Sequence, residues 1–257
     1  MTTQTTRTDP SPAPAPQAGP DLLGQTVVLI GGSAGIGLAT ARLARAAGAD
    51  VVLAGRDPGR LADAAREVGA TATAVVDAAS PAALTGFLRD LPGPVDHVLV
   101  TAGGAYYAPL AELDFDRAHR DVDDHLWLAL HLAQAAPGRV RPGGTLLFMG
   151  GTGGRRTGPG LSLIRAMTAA MPALVANLAV EIAPIRVNLI AAGFVDTPLS
   201  ARILGEDLDA RRAELRAILP IGRVVGPADV AALAVHLMVN TALTGGTYDI
   251  DGGQQLV

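Results

Sequence analysis

Glycines spaced for anion binding follow a short apolar run near the start of the chain. Residues 27–30 are Val, Val, Leu and Ile, and Gly31, Gly35 and Gly37 come soon after them. Glycine lets a backbone turn tightly and brings its N–H groups close to a bound anion. Residues 38–47 continue at helical spacing, so a pyrophosphate would lie at the positive end of a helix. The chemistry that this spacing favours is dinucleotide binding.

Glycines with this spacing can also form a tight turn that binds no ligand, and a second apolar segment helps to decide between this alternative and a dinucleotide site. Residues 50–55 read as another buried strand, which completes the strand, turn, helix, strand unit of a dinucleotide site. Arg56 follows directly, where an acidic residue would hold a ribose 2′-hydroxyl and a positive charge would hold a 2′-phosphate. The sequence therefore predicts NADP(H) in preference to NAD(H). The alternative is a solvated arginine paired with Asp57.

Strand and helix patterns alternate along the following part of the chain. Predicted strands at 70–76 and 95–101 alternate with predicted helices at 58–68 and 80–91. This alternation is typical of an α/β fold, and we predict a single Rossmann-type domain with a doubly wound parallel sheet flanked by helices over residues 21–257. A hydrophobic content of 49% provides enough apolar material for one large core.

Composition excludes several classes of function. The formal net charge of −4 argues against nucleic acid or an anionic membrane as a partner. The absence of cysteine excludes disulfides and thiol chemistry, and the absence of lysine excludes Schiff-base chemistry. Residues 1–20, rich in Thr, Pro and Ala, are predicted to form a disordered tail. They lack the apolar segment of a secretory signal, so a cytoplasmic location is expected.

Further motifs occur in a fixed order along the chain. They read IGGSAGIG at 30–37, VTAG at 100–103 and AGFVDT at 192–197. From residue 23 to residue 253 the sequence resembles the short-chain dehydrogenase/reductase family. The resemblance implies a nicotinamide cofactor, a small-molecule substrate and a homodimer or homotetramer. Together with Arg56, it predicts these cofactor-binding residues: Gly31, Ser33, Gly35, Ile36, Gly37, Asp77, Ala102, Gly103, Gly193, Val195 and Thr197.

The sequence differs from the family at the catalytic positions. Members transfer hydride with the help of a serine, a tyrosine and a lysine, supported by an asparagine. The corresponding positions here hold Gly151, Ile164, Thr168 and Asp123. A different alignment cannot restore the set because the chain contains no lysine. The resemblance therefore implies an atypical member that needs a non-standard proton donor.

Asp123, Tyr106 and Tyr107 are the candidate proton donors that remain. Asp123 would project from the fourth predicted helix, and the tyrosines follow the strand at 95–101. A carboxyl group whose pKa is raised by burial can act as an acid. The alternatives are an exposed helix carboxylate for Asp123 and packing at the rim of the cleft for both tyrosines. The histidines of this helix are spaced six apart and do not predict a metal site.

The longest predicted helix covers residues 161–183 and is apolar nearly all round. Such a helix is expected to be buried, with a kink at Pro172. By the resemblance, it contributes to the subunit interface. Arg165, next to the vacant tyrosine position, is expected to turn away from the site.

Three functions remain open. The first is an atypical NADP(H)-dependent oxidoreductase that acts on a protonated imine or an activated alkene. The second is a non-redox enzyme on the same scaffold, such as a cyclase, isomerase or dehydratase. The third is a regulatory protein that binds NADP(H) without turnover. The nucleotide-binding features favour the first.

Overall fold

A computed structural model describes residues 21–155 and 157–257, so the predicted tail at 1–20 lies outside the described residues. The strands of the described chain are β1 Thr26–Ile30, β2 Asp50–Gly55, β3 Ala72–Val75, β4 Val95–Val100, β5 Val140–Gly151, β6 Arg186–Ala192 and β7 Thr247–Ile250. Its α-helices are α1 Gly35–Ala46, α2 Pro58–Val68, α3 Pro81–Asp90, α4 Phe115–Val122, α5 Leu128–Ala135, α6 Ser162–Glu181, α7 Pro198–Leu204, α8 Leu208–Ile218 and α9 Pro227–Val239. A π-helical turn, Asp123–Trp127, joins α4 to α5.

The described strands form one sheet in the order β3-β2-β1-β4-β5-β6-β7. Every neighbouring pair is parallel. The chain runs outward from β1 to β3 and then returns to place β4 on the other side of β1. Ligands of such sheets bind outside the carboxyl ends of the strands where the order reverses. The predicted single-domain, doubly wound α/β fold is confirmed.

Both faces of the sheet are covered. Val28 belongs to a core cluster with residues of α3, α5 and α6, whereas Val27 belongs to a second cluster with residues of α1, α2 and α9. Successive side chains of a strand point to opposite faces, so the two clusters lie on opposite sides of the sheet. This double burial explains why the strands read as continuous apolar runs.

The long apolar helix α6 is less buried than predicted. It contains Pro172 in its interior, and only about a third of it is buried. Its buried residues, among them Met171 and Val175, pack in the core beneath the sheet, whereas Val180 is 77% exposed. By length and hydropathy α6 could cross a membrane, a test that core helices of soluble proteins also pass. Here it packs against β5 and β6.

Candidate nucleotide-binding and active site

The glycine turn after β1 is built against the end of β4. Gly31 has φ +96°, and a Cβ added there would lie 2.6 Å from Thr101 Oγ1. A Cβ on Gly37 would lie 2.7 Å from the same oxygen. The Thr101 hydroxyl donates a hydrogen bond of 3.1 Å to the carbonyl of Gly31. Glycine is therefore required at both positions for the close approach of the two strand ends, as well as for the turn itself.

The amino terminus of α1 is the part of the turn that fits an anion. Asp57, Ser80 and Asp114 each cap a helix by accepting a hydrogen bond from a backbone N–H group of the first turn of α2, α3 or α4. In contrast, within the described residues no side chain caps α1, where Ala34 holds the cap position, and its first turn contains no acidic residue. The exposed backbone donors and the positive end of the helix dipole suit a pyrophosphate.

The loop after β6 reaches the same turn. A Cβ on Gly35 would lie 3.6 Å from Thr197 Cβ, so the predicted residues of the two motifs are neighbours. A Cβ on Gly193 would lie 2.6 Å from Gln254 Oε1, which explains the need for glycine there. Val195 is buried and forms a bridge outside the named strands. The loop therefore closes over the glycine turn.

Ser33 lies beside the end of β2, which Arg56 follows in the chain. A Cβ on Gly55 would lie 3.4 Å from Ser33 Oγ, which places the hydroxyl beside the last residue of the strand. Arg56 is exposed and forms no ion pair with any described residue. Asp57 pairs instead with Arg60 at 2.9 Å, so the alternative in which Arg56 pairs with Asp57 is wrong.

The remaining predicted cofactor residues lie along the same edge of the sheet. Asp77 follows β3 and is exposed, and Ile36 is half-buried in the first turn of α1. The Ala102 N–H donates to the carbonyl of Ile30 at 3.1 Å. A Cβ on Gly103 would lie 3.6 Å from the carbonyl oxygen of Asp124, in the π-helical turn.

Electrostatics connect this edge with the π-helical turn. Burial raises the pKa of Asp124, and the charges of Asp77 and Asp123 raise it further. The positive charges of His125 and Arg56 act in the opposite direction. The ends of β2 and β3 therefore lie within electrostatic range of the turn that packs on Gly103. Together these observations show that the residues present fit a dinucleotide.

The three predicted proton donors are not brought together. Asp123 is exposed and lines a groove with Leu84 of α3 and with Trp127. Tyr106 is buried, its hydroxyl accepts a hydrogen bond from the Asp114 N–H at 2.9 Å, and its ring stacks under a guanidinium group. The packing alternative therefore describes Tyr106, and the exposed-carboxylate alternative describes Asp123.

Tyr107 is about half exposed, and a different acid lies near it. Burial and then the charge of Asp121 raise the pKa of the Tyr107 hydroxyl. Asp121 is buried in α4 and lies one turn before His125, whose Nδ1 is 3.8 Å from Asp121 Oδ1. The sequence reasoning missed this pair because it compared histidines only with each other. The spacing of four residues between the acid and the histidine could have indicated the pair, because such residues are neighbours on a helix.

The positions that correspond to the family's catalytic residues lie beside one another. A Cβ on Gly151 would lie 3.3 Å from Thr168 Cγ2, and the Thr168 hydroxyl donates to the carbonyl of Ile164 at 2.9 Å. Ile164 is buried. Arg165, which was predicted to turn away from the site, is half-buried, and its Nη1 is buried without a hydrogen-bond partner in the described chain.

Comparison with known proteins agrees with this geometry. Residues 31–255 match a family described as enoyl-(acyl carrier protein) reductase. The short-chain dehydrogenase/reductase ATR9 of Stachybotrys chlorohalonatus is 29% identical, and the alignment covers 91% of this chain and 98% of ATR9.

Two solved structures show the same similarity. The MalC reductase/Diels-Alderase of Malbranchea aurantiaca superposes with a TM-score of 0.85 at 26% identity, over 92% of this chain and 98% of MalC. A small-chain dehydrogenase in complex with NADPH superposes with a TM-score of 0.78 at 26% identity, and the superposition covers 91% of this chain and 99% of the dehydrogenase chain.

Proposed function

Because the chain belongs to the short-chain dehydrogenase/reductase family, we propose that it is an NADP(H)-dependent oxidoreductase with a non-standard proton donor. The proposed preference for NADP(H) over NAD(H) rests on Arg56. It follows Gly55, the last residue of β2, which lies beside Ser33, and it forms no ion pair with a carboxylate of the described residues. A guanidinium group in this position suits a 2′-phosphate, because its planar fork can donate two hydrogen bonds to phosphate oxygens.

The preference for NADP(H) is tested by binding titrations with NADPH and NADH in parallel. The Arg56→Ala variant is expected to bind NADPH about 10- to 150-fold more weakly, from the roughly 1.5–3 kcal/mol of a hydrogen bond to a charged group. Its affinity for NADH should change by less than about threefold. Arg66→Ala, at an exposed arginine of α2, is the matched control. Equal losses for both nucleotides would contradict a role of Arg56 at the 2′-phosphate.

The substrate class follows from the proposed catalytic positions. Gly151, Ile164 and Thr168 offer no acid with which to protonate a ketone oxygen. A protonated imine or an activated alkene needs less help from such an acid than a ketone does. Ordinary general acid catalysis supplies about 10²–10⁴-fold in rate. We therefore expect NADPH consumption with members of an imine, enone and quinone panel, and a lack of turnover across the panel would contradict the proposal.

A second candidate function is non-redox catalysis on the same scaffold. MalC, at a TM-score of 0.85, is named both a reductase and a Diels-Alderase, so one fold of this kind carries both descriptions. A cyclase, isomerase or dehydratase would form product with no change in nicotinamide absorbance. Nucleotide binding without any product formation would instead favour a regulatory protein.

We also propose that the protein acts as a homodimer or homotetramer in the cytoplasm, without nucleic acid or membrane partners. Short-chain dehydrogenases/reductases commonly form oligomers. The exposed apolar side of α6, including Val180, supports a protein interface there. The net charge of −4 disfavours anionic partners.

A further inference from the structure

A buried acid and a histidine lie next to each other behind the loop that follows β4. Asp121 is only 5% exposed, and its Oδ2 has no hydrogen-bond partner within the described residues. His125 Nδ1 lies 3.8 Å from Asp121 Oδ1 and 2.7 Å from the backbone oxygen of Asp121. A buried carboxylate oxygen without a partner is unusual, since leaving such a group unsatisfied costs about 1–3 kcal/mol or more.

The short contact fixes the tautomer of the imidazole. A backbone carbonyl can only accept, so Nδ1 of His125 must be the donor. Nε2 therefore carries no proton in the neutral imidazole. It has no hydrogen-bond partner in the described chain, and the imidazole is 20% exposed. The ring thus has one nitrogen anchored by the backbone.

The charges around the pair suit a transferable proton. The Asp121 carboxylate is too distant from Nδ1 for a hydrogen bond, but close enough to stabilise a positive imidazolium. Burial raises the pKa of Asp121, the charge of His125 and the backbone N–H of Tyr106 lower it, and Asp124 raises it. Burial and then the charge of Asp121 raise the pKa of Tyr107, in the loop after β4.

The position in the fold places the pair near the predicted nicotinamide end. His125 lies in the π-helical turn, whose residue Asp124 packs against Gly103 at the carboxyl end of β4. The same turn contacts α6, which carries the proposed catalytic positions Ile164 and Thr168. Single π-helical turns inside α-helices occur frequently at functional sites.

We propose that His125 is the proton donor of the reaction and that Asp121 is a positioning residue behind it, for substrates in which an alkene is conjugated to a carbonyl. This inference rests on the proposed function. Bound NADPH would supply a hydride to the β-carbon and would become NADP⁺. As the new C–H bond forms, the alkene π pair becomes a double bond between the α-carbon and the carbonyl carbon, and the carbonyl π pair becomes a lone pair on an enolate oxygen. His125 Nε2 gives its proton to that oxygen and is reprotonated from solvent, and the enol tautomerises to the saturated carbonyl.

Kinetics with two probes test the role of His125. The probes are 2-cyclohexen-1-one, which must be protonated, and an N-methylpyrrolinium salt, whose permanent charge needs no proton. His125→Asn keeps a donor for the Asp121 carbonyl but removes Nε2. This variant should have a kcat for the enone about 10²–10⁴-fold lower than that of the wild type. Its decrease in kcat for the iminium should be at least ~10-fold smaller. His119→Asn, at an exposed histidine of α4, is the control. Equal losses on both probes would overturn the proposal.

The same pair of probes tests Asp121. Asp121→Asn should lower kcat for the enone with KM changed less than about threefold, because the carboxylate acts on the imidazole and not on the substrate. It should also change the pH profile of kcat for the enone while leaving the profile for the iminium in place. A merely structural role would instead affect both probes alike, and that result would remove Asp121 from the proposal.

A readout without turnover completes the test. Diethyl pyrocarbonate modifies accessible neutral imidazole, and peptide mass mapping reports each histidine separately. Saturating NADPH together with cyclohexanone should slow modification of His125 severalfold and leave that of His119 unchanged. Nucleotide binding without this protection overturns the role of His125 alone. Failure of NADPH to bind overturns the proposed function, and with it this inference.

Discussion

Arg186 is the buried charge on which we expect the fold to depend most strongly. It lies in β6, only 5% exposed, and its guanidinium donates to backbone carbonyls at and beyond the end of α9. The bonds to Leu237 and Met238 are each 2.7 Å long and fully buried. Three further bonds reach the carbonyls of Asn240, Leu243 and Gly143 at 3.1, 3.2 and 3.0 Å. One side chain therefore satisfies the carboxyl end of a helix and joins it to the sheet.

The Arg186→Met variant keeps most of the side-chain volume and removes every donor. The two fully buried carbonyls would lose their partner, at about 1–3 kcal/mol each. We therefore expect the free energy of unfolding to fall by about 2–6 kcal/mol. In a domain of this size, each kcal/mol lost from the free energy of unfolding lowers Tm by about 2–4 °C.

Equilibrium urea unfolding at fixed protein concentration measures this change. The midpoint should fall with the slope m unchanged, because the variant exposes the same surface on unfolding. Arg216→Met, at an exposed arginine of α8, should change the free energy of unfolding by less than about 0.5 kcal/mol. A loss below about 1 kcal/mol for Arg186→Met, with m unchanged, would refute the reasoning from buried carbonyls.

Three further predictions concern pH, the glycine turn and assembly. Burial lowers the pKa of His97 to about 3. Between about pH 3 and about pH 6.5 the unfolded chain therefore binds more protons than the folded chain. The free energy of unfolding should fall by up to about 1.4 kcal/mol for each unit by which the pH is lowered in this range. His97→Gln should flatten this slope in pH-dependent urea titrations, and an unchanged slope would assign it to other groups. Gly37→Ala should abolish NADPH binding or unfold the protein, whereas Gly86→Ala in α3 should be neutral or stabilising by up to about 1 kcal/mol. Calorimetry with and without nucleotide measures both effects. Normal NADPH binding by the Gly37 variant would contradict the geometry of the turn. Val180→Arg should lower the mass measured by light scattering to a smaller assembly, and an unaltered mass would place the interface elsewhere.

The fold was predictable because its signals are local and repeated. The predicted helix at 58–68 is observed with the same bounds, and the strand at 50–55 likewise. The strand is an apolar run and the helix is amphipathic, and both are bounded by turn or capping residues, which periodicity detects well. The exposure of α6 was not predictable in this way. Its composition is apolar nearly all round, and only the packed structure shows which side faces the sheet.

The sequence predicts the geometry of the glycine turn better than the surroundings of Asp123, and the reason is physical. Gly31 and Gly37 are required by close contacts that leave room for no other residue, so the spacing alone indicates them. The direction of a side chain on α4 depends on helix phase. The π-helical turn at 123–127 shifts that phase, and so a regular α-helix extended from α4 does not predict where Asp123 points. Asp121 and His125 are neighbours because they span the start of this turn.

The proposed change of proton donor also explains why no single substitution should restore the family's catalytic set. A Cβ at position 151 would lie 3.3 Å from Thr168 Cγ2, closer than an ordinary van der Waals contact, so serine there and lysine at 168 must be accommodated together. Ile164 is 7% exposed, and a tyrosine in its place would overpack the region at a cost of about 1–3 kcal/mol. These three positions are packed as a unit without ionisable groups. A proton for the substrate would then come from another residue, and the proposed donor is His125 of the π-helical turn, next to the buried Asp121.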